Sequence, residues 1–413
     1  MNKTKPHIIS KSLVMTAYKL VKANSGAAGV DQQTLDDFNL NLKDNLYKIW
    51  NRMSSGTYFP PAILGVSIPK KTGGERILGV PTVSDRIAQM VVKLTFEPLV
   101  EPYFHQDSYG YRPSKSALDA IGITRQRCWA NDWVLEFDIR GLFDNIDHEL
   151  LLKAVRKHTN NKWVILYIKR WLKAPMQMPD GTCVERTKGI SQGGVISPIL
   201  SNLFLHYVFD AWMSKNQPQI EWCRYADDGV VHCKTEAQAA HLRNILEHRF
   251  IECKLELHSE KTKIIYCKDC RRTKDYPNTK FTYLGYDFRR RMVLNSKDGS
   301  LFLRFTPAVS KDALKSMRAE IRSYKIHQKS QHSLKDIAKK LNPIVSGWFN
   351  YYGRYIPSSL ERFKSYLHYR LVAWAMRKYK KLRGRKTRAS EFIYRVKEQS
   401  PYLFVHWRGR NAL

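Results

Sequence analysis

The sequence predicts an α+β fold followed by an α-helical, strongly basic C-terminal region. Short runs near residues 133–139, 222–231 and 281–286 alternate well enough to be strands, and amphipathic stretches typical of helices separate them. Beyond Arg289 the pattern becomes helical, and residues 289–413 hold 30 lysine and arginine residues against 7 acidic ones. The 413 residues exceed the roughly 250–300 that one core usually serves, so two or three domains are expected.

The formal net charge of +33 indicates a polyanionic partner. No apolar run reaches the roughly 18 residues needed to span a bilayer, so the sequence shows no membrane anchor. The expected polyanionic partner is therefore nucleic acid. The cysteine count is odd, 7, and the N-terminus has no signal-peptide pattern because Lys19 interrupts its apolar stretch. These features predict a protein of the reducing cytoplasm.

Two helices are predicted at the N-terminus, over residues 11–23 and from a capping box at Thr34 and Asp37 to about residue 53. The next segment, residues 68–76, is typical of a hairpin with Gly73-Gly74 at its turn. It places Lys70 and Arg76 on facing arms, where two cations suit a triphosphate. A solvated sheet edge is the alternative interpretation of the same pattern.

A helix over residues 84–99 precedes the aromatic loop Ser108–Pro113. This loop could present Arg112 to a phosphate or a base, or could be a packed loop. A strand near residues 133–139 then carries Asp138 close to its end, with Phe143 five residues further on. Paired glycines in the loop 188–194 allow the backbone to approach a ligand closely, and a helix is predicted from about Pro198.

The stretch Trp222–Val231 predicts a hairpin with Asp227 and Asp228 at its turn. Adjacent carboxylates repel each other and raise each other's pKa, so an acidic pair favours a hard divalent cation. A plain surface turn is the alternative interpretation. If the fold brings Asp138 beside this pair, the three carboxylates would form a site for two metal ions.

A helix is predicted over roughly 236–253 and an aromatic strand at 281–286. Three basic helices follow, at about 308–325, 333–352 and 359–382. Residues 378–388 then hold seven cations and no acid.

Seven short motifs occur in one fixed order along the chain. They are Ile68 to Arg76, Ser108 to Pro113, Phe137 to Ile146, Ser191 to Pro198, Tyr225-Ala226-Asp227-Asp228, Glu260-Lys261-Thr262, and Tyr283-Leu284-Gly285. In this order they resemble the group II intron reverse transcriptases (maturases) of bacterial type, over nearly the whole chain. Each motif alone is weak, but the ordered set is very specific.

The resemblance implies a right-hand polymerase, with fingers and an antiparallel palm sheet in residues 1–295. A helical thumb or maturase domain is expected at 296–375, and a basic nucleic-acid-binding tail at 376–413. Tyr283 to Tyr286 resembles the primer grip, and Asn342 to Tyr352 resembles the thumb signature. The paired cysteines and His-Asn-His pattern of the family's endonuclease are absent, so second-strand cleavage is not expected.

The resemblance also implies the catalytic groups. Asp138, Asp227 and Asp228 match the triad that binds two Mg²⁺ ions, and the backbone carbonyl of Ile139 is a further metal ligand. Lys261 matches the lysine near the leaving phosphate.

The implied substrate contacts lie on other motifs. Lys70 and Arg76 match the finger residues on the triphosphate, and Gln192 matches the residue beside the incoming nucleotide. Phe143 matches the bulky gate that excludes a 2′-hydroxyl. Arg112 is a further candidate for contact with a phosphate or a base.

The function implied is RNA-directed DNA synthesis on an intron RNA template, with dNTPs and a DNA primer or target. Binding of the intron RNA would also assist splicing and mobility. Two alternatives stay open: a splicing factor with a relic polymerase site, and a reverse transcriptase domesticated for phage defence or repair. The intact Asp138, Asp227 and Asp228 argue against the relic. The sequence leaves the oligomeric state open.

Overall fold

The computed structural model describes residues 5–69, 73–294 and 298–408. Its helices are α1 (Lys11–Ala23), α2 (Leu35–Leu40), α3 (Leu42–Ser55), α4 (Val83–Val100), α5 (Ala117–Ala130), α6 (Leu142–Asn145), α7 (His148–His158), α8 (Lys162–Lys173), α9 (Ser197–Leu205), α10 (Ala211–Asn216), α11 (Glu236–Glu252), α12 (Lys311–Ser323), α13 (Leu334–Tyr352), α14 (Glu361–Lys378) and α15 (Lys386–Gln399). Its strands are β1 (Ile63–Pro69), β2 (Glu75–Val80), β3 (Trp133–Asp138), β4 (Met176–Gln177), β5 (Cys183–Val184), β6 (Trp222–Tyr225), β7 (Asp228–Cys233), β8 (Lys263–Tyr266), β9 (Lys280–Tyr283), β10 (Tyr286–Leu294) and β11 (Leu301–Val309).

The chain forms two compact units, one from Met1–Ala120 with Leu135–Lys263, the other from Ile121–Val134 with Ile264–Leu413. The first unit holds a mixed sheet of order β2-β1-β4-β5. Strands β1 and β2 pair antiparallel with Ile68 opposite Arg76, as the hairpin pattern predicts. Strand β4 joins β1 in parallel.

Helix α4 carries a buried polar centre in the first unit. The fully buried Asp85 carboxylate accepts hydrogen bonds from the Tyr58 hydroxyl at 2.9 Å, the Trp171 indole at 2.7 Å and the Gln89 amide at 2.9 Å. Burial raises the pKa of Asp85. The Gln89 side-chain oxygen accepts in turn from the Ile196 backbone N–H at 3.3 Å. This chain of bonds fixes the start of α9 and the loop before it.

Strands β6, β7 and β3 lie side by side in that order. Tyr225 pairs with Asp228, so the two turn residues are Ala226 and Asp227. The sequence predicts both aspartates at the turn, but Asp228 is the first residue of β7. Gly229 lies within the strand, where an added Cβ would clash with the Phe137 ring. Gly229 is therefore needed for packing against β3 and not for the turn.

The second unit joins an antiparallel sheet of order β11-β10-β9 to helices α12–α15. Strands β9 and β10 are linked by Leu284-Gly285, both with positive φ (50° and 80°), as a tight hairpin turn requires. The Tyr351 hydroxyl of α13 donates to the Leu284 carbonyl at 2.8 Å. The Tyr352 hydroxyl would lie 2.8 Å from a Cβ added at Gly285, so α13 packs directly on this turn.

Residues after 376 pack with the preceding helices instead of separating from them as a tail. Ala389, Ile393 and Phe404 are buried in the same core as Leu371 and Trp374. The apolar stripe of α15, obscured by its many cations, accounts for this difference from the predicted division. None of the helices in the described ranges is long and apolar enough to cross a membrane.

His406 lies in this core and makes the stability of the second unit depend on pH. Burial lowers the pKa of His406 from its usual 6.5 to about 3, and the nearby charges of His368, Lys397 and Lys364 act in the same direction. Well above pH 6.5 the side chain is neutral in both the folded and the unfolded chain. Below pH 6.5 the unfolded chain binds a proton at this residue and the folded chain does not, so the free energy of unfolding decreases as the pH falls toward about 3.

We therefore expect wild-type protein to lose more free energy of unfolding between about pH 7 and pH 5 than the variant His406→Phe. Phenylalanine keeps an aromatic ring against Phe404 and Trp407, which contact His406. Urea unfolding followed by tryptophan fluorescence at each pH measures the loss. An equal loss in the two proteins would contradict this account.

Candidate active site

A cleft of about 660 Å³ opens in the first unit and gathers most of the predicted site residues. Its walls come from β2, the end of β3 with the segment after it, the turn before β7, and two loops. The residues that line it are Glu75, Arg76, Ile77, Asp138, Ile139, Arg140, Gly141, Leu142, Phe143, Asp144, Gln192, Asp227, His258 and Lys261.

Three carboxylates meet at the β3 end of the cleft. Asp138 is the last residue of β3, while Asp227 and Asp228 are the second turn residue and the first residue of β7. Pairing of β7 with β3 in one sheet brings these distant segments of the chain together. The Lys261 ammonium forms an ion pair with Asp138 Oδ2 at 2.7 Å.

Burial and mutual repulsion shift the ionisation of these groups. Burial raises the pKa of Asp227, and the charge of Asp138 adds to the rise. Burial raises the pKa of Asp228 to about 7, and the charges of Asp227 and Asp138 add to it. The hydrogen bond to Asp138 raises the pKa of Lys261. Lys261 therefore offsets only part of the burial and mutual repulsion that disfavour ionisation of these carboxyl groups.

The donor set fits a hard divalent cation, because such ions bind carboxylate and carbonyl oxygens. In the part of the chain that the structure describes, no three His, Cys, Asp or Glu side chains form a ready-made metal cluster. The Lys261 ion pair holds Asp138 Oδ2 in this state. The three carboxylates are therefore close enough to repel one another without being arranged as a closed set of ligands.

The backbone of Ile139 also lines the cleft. The residue as a whole is buried, with 1% exposure, although it lies in the cleft wall. Flanking hydrogen bonds run from Arg140 N–H to the Glu256 carbonyl and from His258 N–H to the Asp138 carbonyl, both at 2.9 Å. In this antiparallel pairing the N–H and C=O of Ile139 itself point away from Leu257. The carbonyl is thus free of the ladder, as a metal ligand requires.

The opposite wall of the cleft is a chain of polar contacts. The Arg76 guanidinium donates to the Gln192 side-chain oxygen. The Gln192 amide donates to the Asp144 carboxylate at 3.3 and 3.4 Å. The backbone carbonyl of Gln192 accepts a hydrogen bond from Gly79 N–H at 2.9 Å, so the loop that carries Gln192 is attached to β2. Arg76 and Gln192, which come from separate motifs, thus lie together in the cleft wall.

Phe143 is half-buried in the cleft wall, and backbone contacts fix its position. Its carbonyl accepts from Ile190 N–H at 2.6 Å. Gly189, at φ 79°, approaches so closely that an added Cβ would lie 2.8 Å from the same carbonyl. The glycine loop therefore anchors both Gln192 and the Phe143 segment.

Among the described residues, Asp228 and Arg112 are predicted site residues that do not line the cleft, although Asp228 adjoins the lining residue Asp227. Lys70 lies outside the described residues. Arg112 pairs with Glu101 at 2.7 Å and donates to the carbonyls of His105 and Ser108, with a side chain 7% exposed. Its contacts match the packed-loop interpretation. In the same loop, Tyr111 lies near Asp227 and Asp228. Burial raises the pKa of Tyr111, and the charge of Asp227 adds to the rise.

Sequence reasoning missed Asp144 and His258, both of which line the cleft. Asp144 adjoins the singled-out Phe143, so its position next to a candidate gate was a usable signal. His258 is held at the cleft by a hydrogen bond from its backbone N–H to the Asp138 carbonyl. No sequence motif predicts this bond.

Comparisons with known proteins match both parts of the chain. Residues 68–288 match the family described as reverse transcriptase (RNA-dependent DNA polymerase), and residues 314–392 match the group II intron, maturase-specific domain. Protein YkfC of Escherichia coli is 32% identical over 64% of this chain and 78% of its own length. The group II intron-encoded protein LtrA of Lactococcus lactis is 30% identical over 48% of this chain, and the match spans 33% of LtrA. A putative COX1/OXI3 intron 1 protein of Saccharomyces cerevisiae is 28% identical, over 61% of this chain and 29% of its own length.

The Lys261 ion pair predicts an effect on cation binding. Because its ammonium occupies Asp138 Oδ2, Lys261→Met should strengthen Mn²⁺ binding to the free protein, about two- to fivefold for a pair worth roughly 0.4–1 kcal/mol. Electron paramagnetic resonance of free Mn²⁺ measures the affinity. Lys254→Met is the matched control, since Lys254 forms a similarly exposed pair with Asp147 at 2.6 Å. Unchanged or weaker binding in Lys261→Met would contradict the competition.

Proposed function

Because this chain belongs to the reverse transcriptase (RNA-dependent DNA polymerase) family and carries a group II intron maturase-specific domain, we propose that it copies RNA into DNA in this cleft. Growth would occur by attack of a primer 3′-hydroxyl on a bound dNTP. The observation that carries the proposal is that one cleft is lined by Asp138 and Asp227 at its β3 end and by Arg76, Gln192 and Phe143 on its wall.

The chain's own residues would divide the work of nucleotidyl transfer. Two Mg²⁺ ions held by Asp138, Asp227, Asp228 and the Ile139 carbonyl would supply activation of the primer hydroxyl and neutralisation of the leaving pyrophosphate. Lys261 would stabilise negative charge on that leaving group. Its raised pKa keeps it cationic at neutral pH.

Binding and selection of the nucleotide would fall to the opposite wall. Arg76, with Lys70, would hold triphosphate oxygens, because a guanidinium offers a planar fork of donors and an ammonium a point charge. Arg76 would exchange its bond to Gln192 for these oxygens. Gln192 would then adjoin the incoming nucleotide, and Phe143 would leave no room for a 2′-hydroxyl.

The second unit would bind the intron RNA and assist splicing and mobility. We propose the functional division of fingers and palm to residue 295, thumb and maturase domain at 296–375, and a basic segment at 376–413. Support comes from the cations of residues 378–388. Lys378 donates to backbone carbonyls of Ser330 and His332, while the other six are exposed and can contact phosphates without sequence preference.

The decisive experiment separates polymerisation from RNA binding. In Asp227→Asn/Asp228→Asn, primer extension on an RNA template should fall by orders of magnitude, because the cation is no longer held. RNA affinity should be kept or slightly strengthened, since two negative charges are removed from a basic protein. The assays are primer extension with Mg²⁺, RNA filter binding and intron splicing on the same preparations.

The outcomes distinguish the alternatives. Wild-type protein that splices but extends no primer would favour a splicing factor with a relic site. Loss of RNA binding together with extension would make these aspartates structural and overturn the proposal.

Sugar selection by Phe143 gives an independent test. Phe143→Ala should admit ribonucleotides, because rejection by steric clash needs only the bulk of the ring. Primer extension with rNTPs alone should rise from background. Extension with dNTPs should fall only modestly. Phe143→Tyr keeps the ring and serves as the control, expected to exclude rNTPs as wild type does. Absence of any rNTP gain in Phe143→Ala would remove the gate assignment.

A further inference from the structure

We propose that Arg224 and Asp210 form a positioning pair that holds the Ala226-Asp227 turn in the orientation needed to bind a divalent cation. The pair is buried behind the Ala226-Asp227 turn and does not line the cleft. The inference rests on the proposed function, because it takes Asp227 to be a metal ligand. It adds a role for two residues that the sequence analysis did not single out.

Arg224 is a cation placed where the strand pattern calls for an apolar side chain. It lies in β6 after the buried Trp222 and Cys223 and is 0% exposed. Its guanidinium binds the Asp210 carboxylate through two bonds, from Nε at 2.8 Å and from Nη2 at 2.6 Å. Asp210 is also 0% exposed. Such a pair has a large desolvation cost, and well-packed apolar residues are often equally stable in its place. Stability alone therefore gives a weak reason for it.

The remaining donors of the guanidinium point toward the catalytic turn. Nη1 donates to the Ala226 carbonyl at 3.1 Å and to the Asn202 side-chain oxygen at 3.3 Å. Nη2 also donates to the Ser108 hydroxyl at 2.8 Å. The planar fork thus links the carboxylate of Asp210 to the peptide that immediately precedes Asp227.

That peptide has a backbone conformation that requires support. Ala226 has φ 56°, a left-handed conformation that is unfavourable for a residue with a Cβ. Gly110 packs against it so closely that an added Cβ would lie 2.5 Å from Ala226 N. Asn202 donates to the Gly110 carbonyl at 2.7 Å while it accepts from Arg224. The turn is therefore held from two sides, as strained backbone at functional sites commonly is.

Asp210 reaches Arg224 from an irregular helical segment. Residues His206–Asp210 form a π-helical turn between α9 and α10. An inserted π turn shifts the face on which later residues lie, and such turns are rare and frequent at functional sites. Asp210 is the last residue of this turn.

The test measures cation affinity directly, apart from catalysis. Arg224→Lys keeps the positive charge facing Asp210 but loses the fork that also reaches the Ala226 carbonyl. Loss of an outer-shell partner commonly costs roughly 10- to 100-fold in metal affinity, so the Kd for Mn²⁺ should rise about tenfold. Electron paramagnetic resonance of free Mn²⁺ gives the Kd, and RNA affinity and the KM for dNTP should stay near wild-type values.

Arg272→Lys is the matched control. Arg272 is a second buried arginine that forms a pair with Asp269, and it donates to the carbonyls of Cys128 and Asn131 at 2.9 and 2.7 Å. None of these residues lines the cleft. This variant should lose thermal stability while keeping the wild-type Kd for Mn²⁺.

If Arg224→Lys does not fold, Asn202→Ala replaces it, because this variant keeps the Arg224–Asp210 pair and removes only one support of the turn. A smaller rise in the Kd is then expected. The inference is overturned if a folded variant at either position binds Mn²⁺ as wild type does, if Arg272→Lys weakens binding equally, or if wild type binds no Mn²⁺. Failure of the proposed function differs: wild type would bind Mn²⁺ and extend no primer, while the Mn²⁺ comparison still decides the role of Arg224.

Discussion

Negative charges held close together in a partly buried cleft are the constraint on which this structure depends. Asp138, Asp227 and Asp228 come from distant segments, and their repulsion with burial raises the pKa of Asp228 to about 7. Lys261 relieves part of this cost through one oxygen of Asp138. The remaining cost favours uptake of a proton or of a cation at these carboxylates.

Rigidity of the surrounding backbone follows from that requirement. Buried hydrogen-bonded groups lie behind both walls of the cleft. Asp85 with Gln89 reaches the backbone of Ile196 on one side, and Arg224 reaches the carbonyl of Ala226 on the other. Each buried polar group is costly unless its partners are all present. Hydrogen bonds are directional, so these buried groups fix the position of the loops more specifically than apolar contacts would.

Much of the site could be predicted from the sequence because its signals are local. The Asp227-Asp228 pair, the hairpin with Arg76 and the glycine loop with Gln192 are short patterns in a fixed order. Asp227, Arg76 and Gln192 line one cleft in the structure. The turn was misplaced by one residue, since Gly229 suggested a turn while its role is contact with Phe137. Supports such as Arg224 could not be predicted, because their partners are set by tertiary packing. The packing of α15 was missed because charge obscured its apolar stripe.

The hold of α13 on the turn Leu284-Gly285 bears on how this protein can be divided. The hairpin turn lies in the segment that matches reverse transcriptases, whereas Tyr351 and Tyr352 lie in the segment that matches the maturase-specific domain. A border drawn by sequence similarity, between residues 288 and 314, therefore cuts through one packed body. A protein fragment that ends at this border would lack the contacts of Tyr351 and Tyr352 with the hairpin turn. Within the second unit, the last hairpin of the reverse transcriptase match and helix α13 of the maturase match therefore depend on each other for packing.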